Sequence, residues 1–518
     1  MLHIIRRSIL FVVIVFAAPA FATTPDELHN HIAAFDVAEV EAALNAAGKQ
    51  DRMTGTDPEL QRDLFRVFWV TDPAVDAFTE KWLTVNPASA NAMAARGWYL
   101  HAMGRANRGQ DTNRYTFRGG YDLMQAQHAQ AFSLFNSALK TYPNLLSASD
   151  GLLVLAQTVA DETVIPVELE RVMALAPNRG SLMRAMFALA PQWGGNFRQV
   201  QLLCARYAPM ISTIADYSAE TCAVDAVFYA NFPPGETRDA ADRALAQMPH
   251  PVLDYARIRS AAAGAGPPEL RFSVLESAKS ARNLTPDEAQ AWVVARNAVK
   301  GLAPTGVDPA YTAAVAQGLD TLRVQADRDP FDTSKVLTYI DQLERNLWEN
   351  GTAFDVAEAT ERVQSLLRAV PHSWRAWDRL AKLKADFDTG NPELVGPYYR
   401  NAIYYSNYGL IALQEAVKGT LPLIDIKSKR NATSGNLNLT LQDVANLDRT
   451  ANCPVVAWAR IATLICQQEG VGSDDCLRSG MTFLLTDLLQ DTRTRNVCQT
   501  EANDPLETIL FGPSPADF

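Results

Sequence analysis

The feature that most constrains this chain is a helix-start signal that recurs along it. Thr24-Pro25-Asp26-Glu27 joins a capping Thr, a Pro at the first helical position and a Glu three residues after the Thr. Asp57-Pro58-Glu59, Asp72-Pro73, Thr285-Pro286-Asp287-Glu288 and Asp308-Pro309 repeat it in whole or part. Between these signals lie amphipathic runs, such as Leu60 to Val70 and Ala289 to Val299, with helical rather than alternating periodicity. The connections read as short, which predicts helical hairpins stacked side by side. At 518 residues the chain exceeds one ordinary core, so a repeat array or two to three domains is expected.

Several predicted helices stop in the same way: Leu83-Thr84-Val85-Asn86-Pro87, Leu139-Lys140-Thr141-Tyr142-Pro143, Met173-Ala174-Leu175-Ala176-Pro177 and Leu367-Arg368-Ala369-Val370-Pro371. Pro143 and Pro177 are 34 residues apart. Ala131, Phe135, Ala138 and Pro143 form one small–aromatic–small–stop pattern, and Ala359, Val363, Leu366 and Pro371 form another. Ile165, Leu169, Val172 and Pro177 keep its apolar spacing, and Trp377, Leu380 and Ala381 follow Pro371 as the start of a partner hairpin, with Tyr399 and Ala402 beyond. This pattern resembles the tetratricopeptide repeat, in which a small residue lets two helices approach, an aromatic fills the space beside it and Pro ends the helix. The resemblance implies an all-α protein of stacked helical hairpins, a tetratricopeptide-like α-solenoid; the alternative is generic helical packing. Ala95-Arg96-Gly97, the Arg- and Gly-rich segment Gly104 to Gly120, and Pro191-Gln192-Trp193-Gly194-Gly195-Asn196 resemble a bacterial family known as domain of unknown function 4034, which carries a P-x-W-G-G-S-like motif. Asn196 stands where that family has Ser, and both are good N-caps. This second resemblance implies helical hairpins and carries no activity with it.

Residues 1–22 read as a secretory signal peptide: Arg6 and Arg7, an apolar run to Ala18, then Ala20-Phe21-Ala22 as the cleavage site. The apolar run is too short for a comfortable membrane anchor of about 20 residues. No Cys follows the cleavage site, which disfavours a lipid anchor, and no later stretch is long and apolar enough for a stable span. Loss of the two arginines takes the formal charge from −11 to −13, so an acidic chain without a long basic run is a poor nucleic-acid binder. Arg outnumbers Lys 36 to 11, the bias of a GC-rich bacterial genome, and the expected location is periplasmic or secreted.

The predicted organisation is a helical repeat domain over 23–265, a second repeat region over 266–419, a linker or long loop over 420–440 and a small Cys-containing helical piece over 441–518. Six cysteines in an exported chain predict disulfides, with buried free thiols as the alternative. A hairpin brings Cys204 to Cys222. In the C-terminal piece, Cys453 and Cys466 bracket one helix and stand roughly 20 Å apart at 1.5 Å per residue, so nested bridges Cys466–Cys476 and Cys453–Cys498 follow.

Chemistry-bearing motifs are sparse. The seven His residues are scattered, no close Cys pair suggests metal ligation, and no zincin, nucleophile-elbow or phosphate-loop motif occurs. Ser137-Ala138-Leu139-Lys140 matches S-x-x-K only in isolation, and Asp474-Asp475 reads as a helix start. No metal, cofactor or catalytic residue is therefore expected. The reading is an exported, non-catalytic helical-repeat scaffold that binds a protein or peptide partner in the bacterial envelope; the alternative is an enzyme, or enzyme subunit, acting on an envelope polymer. The expected partner-binding residues are Arg105, Arg108, Arg114, Tyr115, Phe117 and Arg118 of the long charged segment, with Arg96 upstream and Trp193 as an aromatic platform. The competing readings are that these arginines pair with neighbouring acids and that Trp193 plugs a turn.

Overall fold

The computed structural model describes residues 23–388, apart from 55–59, 110–115, 157, 159–163, 192–193, 234, 302–308 and 352, together with 398–399, 401–402 and 405–406. Among these residues there are nineteen α-helices and no strand. The first group is α1 (Pro25–Ala33), α2 (Val37–Thr54), α3 (Leu60–Phe65), α4 (Pro73–Val85), α5 (Ala90–Arg108), α6 (Arg118–Thr141) and α7 (Leu146–Leu155). Then follow α8 (Val164–Leu175), α9 (Arg179–Ala188), α10 (Phe197–Tyr207), α11 (Ala219–Tyr229), α12 (Glu236–Gln247) and α13 (Asp254–Ala262). The last are α14 (Pro268–Ala281), α15 (Pro286–Lys300), α16 (Pro309–Arg328), α17 (Thr333–Asn350), α18 (Val356–Ala369) and α19 (Trp374–Leu383). Sequential helices pack on one another through most of the series, so the fold is an all-α stack of helical hairpins.

The starts are set locally. Thr24 and Thr285 close reciprocal capping boxes with Glu27 and Glu288, and Asp72 accepts from the Ala74 amide. Asn196 forms a capping box with Gln199, the service a Ser would give there. The run from Leu60 does not stay α-helical to Val70. After Phe65 it tightens into a 3-10 turn, which sends Phe68 against Trp82 and Trp69 against Trp98.

Most of the expected packing residues are buried, whereas Ile165 and Trp377 are only half-buried. Phe135 lies fully buried where α6 crosses α5 and α7; a Cβ on Gly97 would stand 2.7 Å from its ring and one on Gly151 2.3 Å. Two glycines thus admit one aromatic, with Ala131 and Ala138 beside it. Ala359, Val363, Leu366, Ala381, Tyr399 and Ala402 are likewise buried. Beside this core, Asp150 of α7 is enclosed by charge. Arg62 Nε donates to it at 2.9 Å, Ser181 Oγ at 2.5 Å, and Arg184 Nη1 stands 3.3 Å away. Burial alone would raise the Asp150 carboxyl pKa, but Arg184 and Arg62 bring it below the ordinary range. This network ties α3, α7 and α9.

Buried clusters succeed one another along the chain, and the last returns to the first half: Ala106 of α5 is packed with Leu366, Val370 and Leu380. Thr71 and Asp329 make the matching polar contact. The Thr71 amide donates to Asp329 Oδ1 at 2.9 Å, and the Phe331 amide donates to Thr71 Oγ1 at 3.1 Å. Arg328 reaches Asp26 at 2.6 Å. The stack therefore curves until α16–α19 meet the N-terminal hairpins. Cys204 on α10 and Cys222 on α11 form a disulfide, with Cα atoms 5.6 Å apart. Cys453, Cys466, Cys476 and Cys498, the linker and the C-terminal piece lie outside the described residues.

Candidate functional site

The charged segment is shorter as a loop than its composition suggests. α5 runs through Arg105 to Arg108 and α6 begins at Arg118, which leaves 109–117 as the connection. The helices extend into a glycine-rich stretch because two of its glycines sit at close approaches. A Cβ on Gly104 would lie 2.6 Å from the His128 ring, and one on Gly120 would lie 2.5 Å from the Asn107 carbonyl and 2.7 Å from His372. Gly109 ends α5 with φ +74°, and its amide returns to the Arg105 and Ala106 carbonyls.

This corner opens into a groove of about 540 Å³ whose other wall comes from α17, α19 and Tyr405. Arg108 and Phe117 line it from the N-terminal half. The Phe117 ring lies 6.2 Å from His372, nearly parallel, and 5.2 Å from Tyr405, edge-on. Thr333, Asp341, Trp374, Arg375, Arg379 and Lys382 line the opposite wall. Arg375 is exposed with its guanidinium 4.8 Å from the Trp374 ring centre. Lys382 Nζ stands 2.9 Å from Asp378, and buried Arg379 is 3.2 Å from Asp341 and 2.5 Å from Glu344. The Ser373 hydroxyl meets the Thr333 hydroxyl at 2.9 Å and makes no capping bond to its own helix. His372 is buried, which lowers its pKa, although its bond to the Asn107 carbonyl acts the other way. Its ring is neutral near pH 7.

A second hollow of about 580 Å³ lies between α1 and α3, lined largely by Leu60, Leu64, Val67 and Val70. It is as large, and His29, Asp63, Arg66 and Arg328 also reach it, but its exposed surface is mostly apolar, whereas the groove brings charged, aromatic and hydroxyl side chains together.

Of the sequence-predicted binding residues, Arg108 and Phe117 come together at the groove. Arg105 is exposed one turn earlier on α5, and Arg118 is exposed at the start of α6. Arg96 stands apart: it pairs with Asp76, reaches Thr79 Oγ1 at 3.2 Å and lies over the Tyr99 ring, joining α5 to α4. Arg114, Tyr115 and Trp193 lie outside the described residues. The wall built by α17 and α19 was missed. Its signal was the spacing of Arg375, Asp378, Arg379 and Lys382 at threes and fours, which puts charge along one helical stripe.

Among the described residues no group of three or more His, Cys, Asp or Glu side chains is placed to hold a metal ion. No helix among them is long and apolar enough to cross a membrane. Searches against protein-family models and curated proteins find no match to this chain.

Proposed function

We propose that this protein is an exported, non-catalytic scaffold of helical hairpins that binds a protein or peptide partner in the bacterial envelope. The observation that carries the reading is the groove itself. Arg108 and Phe117 face Trp374 and Arg375 across it, although more than 250 residues separate these two pairs in sequence. Helical-repeat arrays present concave surfaces of this kind to extended partners. Aromatic and Arg side chains are the types that dominate binding energy at interfaces. The signal-like leader supports export, and a tetratricopeptide-like arrangement supports a binding role over a catalytic one.

The test is affinity capture from an envelope extract with the mature chain, followed by the same capture with Phe117→Ala and with Arg105, Arg108, Arg114 and Arg118 all changed to Ala. Specific capture that is lost in both variants, with an unchanged melting temperature, is the expected outcome. Capture indifferent to both variants removes the groove as the partner site. N-terminal sequencing of exported material should begin near Thr23; an intact Met1 in the membrane fraction contradicts export and cleavage.

A further inference from the structure

We propose that a hollow walled by α12, α13 and α14 binds a medium-chain fatty acid, with its carboxylate against Arg243 and Arg271 and its acyl chain against Leu245, Leu270 and Val274. The site shares no residue with the groove, so the proposal stands or falls independently of the groove reading.

The wall is apolar. Leu245 and Ala246 of α12, Ala261 of α13, Ala265 in the turn that follows, and Leu270 and Val274 of α14 line a space of about 330 Å³. Leu245 and Ala261 are buried, but Leu270 is 47% exposed, so the seam presents hydrocarbon to water. An alkyl tail laid there removes that surface from water and asks for no hydrogen bond.

Charge picks out the head group. Four charged side chains reach the hollow: Asp242, Arg243, Arg257 and Arg271. Two of them are answered from within the chain. Asp242 has Arg238 Nε at 3.5 Å and accepts from the Ser260 hydroxyl at 3.1 Å. Arg257 pairs with Asp254 at 2.6 Å and donates to the His250 carbonyl at 2.9 Å. Arg243 and Arg271 remain. Neither forms an ion pair among the described residues, and Arg271 Nε is a buried donor with no hydrogen-bond partner among them. A buried donor left without an acceptor is costly, and an anionic acceptor relieves it. A carboxylate presents two oxygens, the geometry a guanidinium bonds best.

The same wall selects an acyl chain over a peptide. Every residue of an extended peptide brings an amide and a carbonyl that need partners. Here the Ser260 hydroxyl is already committed to Asp242, and the apolar side chains supply none. A volume of about 330 Å³ is near the lower end for ligand pockets, which suits one short chain rather than a two-chain lipid.

The experiment is isothermal titration calorimetry of the full mature chain with octanoate, decanoate and octanamide, with the thermal shift measured alongside. Each acid should bind once per chain and raise the melting temperature. Decanoate should exceed octanoate by about fourfold to fifteenfold, for two further methylenes largely buried. Octanamide, with the same tail and no charge, should bind about tenfold more weakly than octanoate, and added salt should weaken only the acids. Arg243→Gln and Arg271→Gln should each lower octanoate affinity by about threefold to tenfold, leave octanamide binding unchanged and leave the unliganded melting temperature unchanged. Ala246→Trp, placed at an exposed position, should fill the hollow and abolish binding. Equal affinity for octanoate and octanamide overturns the head-group assignment. Octanoate binding indifferent to Ala246→Trp and to both Arg variants puts the acid elsewhere and overturns the site. Uptake of many equivalents per chain, or neither saturable binding nor a thermal shift with either acid, overturns the proposal outright. N-acetyl-leucine displacing octanoate at a lower concentration than decanoate does makes the occupant a peptide C-terminus and overturns the acyl assignment.

Discussion

His372 Nε2 donates a hydrogen bond to the Asn107 carbonyl at 2.6 Å, across 265 residues of sequence. The carbonyl can only accept, so the neutral ring must carry its proton on Nε2. The bond seals the end of α5 against the turn that starts α19, at the back of the groove. His372→Ala removes the donor and leaves a buried carbonyl unsatisfied, a loss of about 1–3 kcal/mol. Urea denaturation should show a lower midpoint, and an unchanged midpoint would mean that the contact adds nothing to closure.

The Asp150 network predicts a larger effect. Asp150→Asn removes the carboxylate that Arg62 and Arg184 share, while both guanidiniums stay buried. Breaking one partner of such a group typically costs about 3–5 kcal/mol. Asp150→Asn should therefore melt well below the parent chain and lose protease resistance around α3, α7 and α9. A variant with parental melting behaviour contradicts the role given to Asp150.

Acid should destabilise the N-terminal hairpins. His101 is packed against Trp69, Trp98 and His128, and neither of its ring nitrogens has a hydrogen-bond partner among the described residues. Burial drives the His101 pKa well below 6.5, and it pushes His128 down to about 4. The unfolded chain therefore holds more protons than the folded one between these values and about 6.5. Stability is complete above that upper limit and falls as pH drops through the window, by about 3 kcal/mol for His128 alone. The rings adjoin, so the titration belongs to the pair. Denaturation midpoints at pH 7.5 and pH 5 should differ, and less so in His101→Phe; equal pH responses would show that His101 does not take part.

Reduction of Cys204–Cys222 should loosen the α10–α11 hairpin. The bridge closes 18 residues, so its loss costs about 3 kcal/mol on a chain-entropy argument. Cys204→Ala with Cys222→Ala should lower the melting temperature and remove its sensitivity to dithiothreitol. Non-reducing peptide mapping of exported protein should recover this pair and also Cys453–Cys498 and Cys466–Cys476. Six free thiols would contradict all three.

What could be read from sequence was local. Thr24, Asp72, Asn196 and Thr285 cap helices because their side chains bond amides two or three residues away. Phe135 was legible as a packing residue because helical periodicity placed it with Ala131 and Ala138. The groove was half legible: composition marked Arg108 and Phe117, but nothing within a helix turn of them indicates that Trp374 and Arg375 lie opposite. That juxtaposition depends on the accumulated rotation from one hairpin to the next. Arg96 follows the competing reading of the arginines: its partner Asp76 lies on the preceding helix, and the pair joins α5 to α4.

The Thr71–Asp329 contact has an evolutionary consequence. An open solenoid grows or shrinks by duplicating or deleting a unit, and the surplus simply extends one end. Here the helices between Thr71 and Asp329 span an arc of fixed circumference. An extra hairpin inserted in that arc would overshoot the clasp, pull Asp329 from Thr71 and draw Arg375 away from Phe117. Change in this lineage should therefore proceed by substitution within existing hairpins, with gain or loss of whole units confined to sequence outside the clasp.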